Sequence, residues 1–354
     1  MEKKVIYVLH KSGADNHYIG LKTFVENENG KVVFREFSIL STLFKSLVKL
    51  KFRLFIKQIV NAFFMLELLF SKNKTVVLGI APYDYKLRNL LYFLRNHKIY
   101  YHTSWTCWDG SFYPKKKCVT PALKDLWRDF IENKTVQIFA VSQKTKEELL
   151  ENYNLSDSKI SVVYHSLNEK FFNEHTSRQN TNEKLKFVYA GRLRPEKGLD
   201  ELLNYFSKNP DKNLTLAGSG ELKNKVGEFT NKHPNIHYAG QINEPEKLGK
   251  LFGESHYLLL NSKKSEKWEE LFGMVLIEAM ACGAIPIATN HTGPREIIES
   301  GINGFLVEEG KISDFLQNLS MENYPVEIWD KAIETGKKFT KSNIAKRWSI
   351  ILKN

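Results

Sequence analysis

The chain has 354 residues, 42% of them apolar and 26% charged, with a net charge of +12. That length is too great for one ordinary core and suits two domains of roughly 170 residues each, and no apolar run is long enough for a membrane span. The three cysteines, Cys107, Cys118 and Cys282, stand in no metal-like spacing, which points to a reducing compartment. In chain order, residues 5–9 read as a first strand. The start holds too few apolar residues for a signal peptide, so the expected location is the cytoplasm.

The positive charge is concentrated early. Residues 1–100 hold 17 Lys and Arg against 7 Asp and Glu, a net +10 of the chain's +12. Within them Lys45, Lys49, Arg53 and Lys57 recur every four residues, a step that turns only about 40° around a helix. On one continuous helix they would share a face, flanked by Phe44, Leu47, Val48, Leu54, Phe55 and Ile56. A basic amphipathic helix with aromatics reads as a binder of anionic membrane surface, peripheral on the inner face. The other reading is a solvated face over an ordinary core helix. No recognition motif for nucleic acid accompanies the charge, so no such partner is expected.

Further along, β-rich runs at 75–80, 99–102, 136–141, 160–164, 185–190, 214–217, 257–260 and 285–288 alternate with helical stretches, the pattern of two parallel, helix-covered sheets. Residues 173–184 are polar and unpatterned, a natural linker. They divide a first domain, 1–172, from a second, 185–339. After the run at 99–102, Trp105, Trp108, Asp109, Phe112, Tyr113 and Lys115 to Lys117 form an aromatic, cationic loop. Sugars stack on aromatics and lipid phosphates need lysines, so it reads as a surface for either, or as a mere loop tip. Residues 325–352 read as amphipathic helix.

The most informative segment is Glu270-Leu-Phe-Gly-Met-Val-Leu-Ile-Glu278-Ala-Met-Ala-Cys-Gly283. Glu278 stands inside an apolar run, where an unpaired charge costs several kcal/mol. It needs a partner, either a ligand or some Arg or backbone donor of the protein. Phe272-Gly273 reads as the turn opening a helix, with Glu270 just outside its N-terminus. Eight positions cover about 12 Å of helix. That span suits a ligand with hydroxyls at both ends and an anion in the middle, facing the free amides of the helix start. A nucleotide sugar has that layout. Gly283-Ala-Ile-Pro-Ile-Ala-Thr289 then reads as helix stop and buried strand, and residues 290–298 as a glycine-bearing loop opening another helix.

These residues, with Gly293-Pro-Arg-Glu296 and Gly301-Ile-Asn-Gly-Phe-Leu-Val307, resemble the donor-site signature of family 4 retaining glycosyltransferases. Phe187-Val-Tyr-Ala-Gly-Arg-Leu-Arg-Pro-Glu-Lys-Gly198 is similar to the family's strand and loop toward the donor diphosphate. Leu214-Thr-Leu-Ala-Gly-Ser-Gly220 and Ile236-His-Tyr-Ala-Gly-Gln241 resemble its next two strands. The resemblance spans residues 185–310. It implies an α/β chain of GT-B fold: two Rossmann-like, doubly wound parallel-sheet domains facing across a cleft, the last helix (340–354) crossing back to the first domain.

The resemblance also implies roles. Arg192 and Lys197 neutralise the diphosphate, so that no metal or other cofactor is expected. Gly218 and Gly220 let backbone approach the base or ribose. Glu278 accepts from the ribose hydroxyls, Glu270 from the hexose, and the amides of Phe272, Gly273 and Met274 face the sugar and phosphate oxygens. In the first domain the family's glycine loop is represented by Gly13-Ala14. His102, at the end of its strand, stands where the family places a histidine beside the donor sugar, and is otherwise an ordinary strand-end histidine. His165 and Ser166 depart from the asparagine and glycine usual there.

The expected activity is transfer of a hexose, from a UDP-sugar first and GDP-mannose second, to a glycan or lipid-linked glycan acceptor in surface polysaccharide assembly. A nucleotide-sugar epimerase of the same fold would need no acceptor, but the segment from Glu270 to Glu278 argues against it. A basic membrane-associated scaffold with a degenerate site would leave Arg192, Lys197, Glu270 and Glu278 unexplained together.

Overall fold

The computed structural model describes residues 4–11, 15–48, 50–111, 113, 119–173, 184–265 and 269–353. Gly13, Ala14, Lys49, Phe112, Lys115 to Lys117, Cys118 and most of the expected linker lie outside them. The chain divides into two units, residues 1–166 with 341–354 and residues 167–340.

Short runs of β-branched and aromatic residues, buried on both faces, make the strands, as parallel sheets covered by helices require. In the first unit these are β1 (Val5–His10), β2 (Lys31–Glu36), β3 (Thr75–Gly79), β4 (Lys98–Thr103), β5 (Thr135–Ala140) and β6 (Ile160–Val162). They lie in the order β2-β1-β3-β4-β5-β6, each neighbouring pair parallel. The second unit repeats the scheme with β7 (Lys186–Ala190), β8 (Asn213–Ala217), β9 (Ile236–Gly240), β10 (Tyr257–Leu260), β11 (Ile285–Thr289) and β12 (Phe305–Val307), in the order β12-β11-β10-β7-β8-β9. In each sheet the winding reverses direction beside its first strand, between β1 and β3 and between β7 and β10. Open parallel sheets bind ligands outside the carboxyl ends of strands at such points.

Several expectations need correction. The strands at Lys31–Glu36 and Phe305–Val307 are edges and only partly covered, so neither shows the continuous apolar run of a central strand. The first boundary falls at Ser166 rather than 172, because the 3-10 turn Glu169–Asn173 packs on the second unit: Lys170 pairs with Glu246, and Phe171 meets the Phe252 ring at 6.4 Å. The region 325–352 is not one helix. It runs as Val326–Lys337, breaks, then resumes as Lys341–Arg347 and a 3-10 turn at Ser349–Leu352. This last piece belongs to the first unit, where Trp348 is buried with its ring 4.3 Å from that of Phe139.

The basic stripe is also interrupted. Helix Ile39–Val48 ends before helix Phe52–Phe70 begins, with Leu50 between them at φ 49°. A left-handed residue reverses the chain locally, so Lys45 and Lys57 do not sit on one continuous helix. Lys57 is moreover committed to the buried Glu36 carboxylate at 2.7 Å.

Candidate functional site

At the carboxyl end of β7 the chain turns through Gly191, Arg192 and Leu193. The turn is stitched to the loop after β8 by backbone bonds from Gly191 N to the Ala217 carbonyl and from Leu193 N to the Ser219 carbonyl, both 3.0 Å. The Tyr189 hydroxyl donates to the Arg192 carbonyl at 2.6 Å. Two peptide strands this close leave no room for side chains between them. A Cβ at Gly218 would stand 1.8 Å from the Gly191 carbonyl oxygen, and one at Gly220 2.3 Å from that of Leu193. The glycines thus admit neighbouring backbone, a requirement separate from any approach of a ligand to their main chain. Gly218→Ala, also at φ +144°, should cost at least about 2 kcal/mol. The expected result is a lowered melting midpoint for residues 167–340, readable by calorimetry; an unchanged midpoint would show that the two loops can separate freely.

Above this turn lies a cavity of about 370 Å³. Arg192, Gly218, Met274 and Glu278, four of the residues expected from sequence, line it together with Gln241 and Asn243. Helix Met274–Ala281 starts here with Gly273 as its N-cap, so its first amides belong to the cavity wall. Glu278 sits one turn inside that helix, half-buried, and among the described residues no donor reaches its carboxylate. Removal from water without compensation pushes its pKa from 4.5 up to about 7. The guanidinium of Arg192 is exposed and, among the described residues, makes no ion pair.

Lys197 and Glu270 do not line this cavity. They meet each other instead: Lys197 Nζ donates to Glu270 Oε2 at 2.5 Å, and Ser262 Oγ donates to the same oxygen at 3.3 Å. Lys197 is buried, and its turn is fixed where Asn261 Nδ2 donates to the Gly198 carbonyl at 3.0 Å. Asn261 and Ser262 directly follow β10, so this pair stands at the sheet's point of reversal. Gly293 N donates to the Glu270 carbonyl at 2.9 Å and ties the start of helix Thr292–Ile297 to it. Both Glu270 contacts use Oε2, and among the described residues Oε1 accepts no bond. Phe272 and Gly273 are buried beside this pair rather than in the cavity.

The first unit has a separate cavity of about 240 Å³ at the ends of β1, β3 and β4. His102 lines it, and so do His10, His17 and His165. The His17 and His165 rings are 4.8 Å apart, and His102 lies 4.8 Å from the Tyr18 ring. Burial, and then the mutual repulsion of these imidazoles, holds His102 well below the ordinary histidine range and brings His165 to about 3. His102 and His165 are therefore neutral at physiological pH. Sequence reasoning found only His102. His10, the last residue of β1, was identifiable by the same argument of position at a strand's carboxyl end. The aromatic loop divides: Trp105 lines this cavity, whereas Trp108 is buried among Tyr83, Tyr101 and Trp127 and is core, not acceptor surface. Among the described residues no group of three or more His, Cys, Asp or Glu could hold a metal ion.

Residues 170–321 match the family model described as Glycosyl transferases group 1. The capsular polysaccharide biosynthesis glycosyltransferase CapM of Staphylococcus aureus is 30% identical over 191 residues, 49% of this chain and 48% of CapM. An uncharacterised glycosyltransferase of Methanocaldococcus jannaschii is 28% identical over 207 residues, 58% of this chain and 54% of that one. The chain thus spans about half the length of these curated relatives. Among solved structures, the Anabaena protein HepE in complex with UDP superposes with a TM-score of 0.69 at 15% identity, covering 98% of this chain and 99% of HepE. The likeness is one of fold, and the fold is that of the GT-B glycosyltransferases, two Rossmann-like units with parallel sheets.

Proposed function

We propose that the chain is a retaining glycosyltransferase of the family 4 type. It would move a hexose from a nucleotide sugar, UDP-linked in the first instance, to a glycan or lipid-linked glycan in surface polysaccharide assembly on the cytoplasmic side. The observation that carries this reading is the Glu278 carboxylate, which lines a cavity and among the described residues meets no donor. The two ribose hydroxyls of a nucleotide would supply what it lacks. The group 1 match and the names of CapM and of HepE with UDP support the class and the donor.

In this reading Arg192 meets the diphosphate beside the start of helix Met274–Ala281. Lys197, held by Glu270, adds a second positive charge on the turn that follows β7. Glu270 Oε1 accepts from a hexose hydroxyl. As the bond between the anomeric carbon and the phosphate oxygen breaks, the leaving diphosphate takes the acceptor's proton on the same face, and the new glycosidic bond retains configuration. The cations and helix amides stabilise charge on the leaving group, where preorganised donors have most effect. His102, neutral, is assigned a hydrogen bond to a sugar hydroxyl rather than a charge.

Thermal shift against a panel of nucleotide sugars tests the donor, since a ligand bound only by the folded state raises the melting midpoint. A rise with UDP-sugars is expected, and none with any nucleotide sugar would sink the reading. Metal independence is checked separately. Excess EDTA should leave nucleotide release intact, whereas loss restored by magnesium would mean that the two cations do not suffice.

A further inference from the structure

Helix Phe52–Phe70 is apolar on both sides. Inward, Phe64, Met65 and Leu68 are buried, while Gln58 and Asn61 are satisfied around Glu36. Outward, Phe52, Ile56, Ile59, Phe63, Leu66 and Phe70 are all exposed. Their spacing alternates between four and three residues, so they form one stripe along about 27 Å of helix. Beside it helix Ile39–Val48 contributes Phe44, 71% exposed, and the turn contributes Leu50, 92% exposed. A solvated protein face seldom carries so much contiguous apolar surface, and patches of this kind mark docking sites.

Charge decides what docks. Residues 39–70 carry five cations, Lys45, Lys49, Lys51, Arg53 and Lys57, against the single acid Glu67; Lys57 is taken by Glu36 at 2.7 Å and Glu67 by Lys74 at 2.8 Å, so the other four cations have no acid in the segment to offset them. Two copies meeting through this face would bring like charge against like charge. Lipid phosphates would complement it. No described helix is long and apolar enough to cross a bilayer, so the hairpin would lie in the interface plane, as amphipathic surface helices do.

We propose that the outer face of these two helices docks on a bilayer containing anionic lipid, the stripe from Phe52 to Phe70 entering the acyl boundary and Lys51 and Arg53 meeting headgroup phosphates. This differs from a purely electrostatic stripe, because the apolar residues do most of the anchoring. It is independent of the donor reading, which concerns the other unit.

The full chain is floated with vesicles of phosphatidylcholine containing phosphatidylglycerol, and with phosphatidylcholine alone. The parent should bind the anionic vesicles and retain part of that binding at high salt, where headgroup attraction is screened. The triple variant Phe52→Gln, Ile56→Gln and Phe63→Gln alters exposed side chains only. It should bind about tenfold more weakly or worse, with an unchanged circular dichroism spectrum and an unchanged nucleotide-sugar thermal shift. Lys51→Gln with Arg53→Gln should weaken binding at low salt by about tenfold or more. Failure of the parent to bind anionic vesicles, or equal binding by the triple variant, overturns the proposal. So does a lipid-free dimer, seen by sedimentation velocity, that the triple variant abolishes, because the face would then belong to a second copy of the chain.

Discussion

Arg192→Ala and Lys197→Ala are each expected to lower turnover of a nucleotide sugar by about two orders of magnitude, the scale of losing one preorganised transition-state donor. The two differ in how the loss arises. Arg192 is exposed at the cavity wall, so its removal deletes the charge proposed to face the diphosphate and should leave the fold untouched. Lys197 is buried against Glu270, so its removal also leaves a carboxylate without its cation, and the measured effect includes that penalty. Pairing Lys197→Ala with Glu270→Gln separates the terms. The double variant should recover thermal stability lost by Lys197→Ala and should not recover turnover. Turnover within a factor of two of the parent for either single substitution would remove that residue from the mechanism.

What sequence could and could not show follows from local physics. Central strands such as Thr75–Gly79 and Ile285–Thr289 are buried on both faces and therefore spell themselves as apolar runs. The edge strand Lys31–Glu36 is half covered, and its composition is ambiguous for that reason. The segment from Glu270 to Glu278 was legible because an acid in an apolar run has few explanations. Its internal division was not: the salt bridge between Lys197 and Glu270 joins residues 73 positions apart, and no spacing rule predicts it. Gly218 was recognised as a place where a Cβ is forbidden. What approaches it is set by the parallel pairing of β7 with β8, which a linear reading does not contain. The periodicity of Lys45, Lys49, Arg53 and Lys57 is real in the sequence, but it assumes one continuous helix, and the left-handed residue Leu50 ends that continuity.

Glu278→Gln is expected to weaken nucleotide-sugar binding about tenfold or more at pH 8, since hydrogen bonds to a charged group are worth roughly 1.5–3 kcal/mol. The raised pKa adds a pH signature. Burial raises the Glu278 pKa to about 7, and in the proposed site the ribose hydroxyls would donate to the ionised form, so parent affinity should fall as pH drops below 7 while the variant's affinity stays flat. Stability moves the other way. The folded pKa lies above the unfolded value of 4.5, so the folded state holds the proton more tightly, and stability is lost as pH rises from 4.5 through 7. Discounted for partial exposure, that loss is about 2 kcal/mol. The variant carries no such charge. Without ligand it should therefore melt above the parent at pH 8 and close to it at pH 5, even as it binds donor less well. A carboxylate satisfied inside the protein would show neither trend, and unchanged donor affinity across this pH range would take Glu278 out of the nucleotide site.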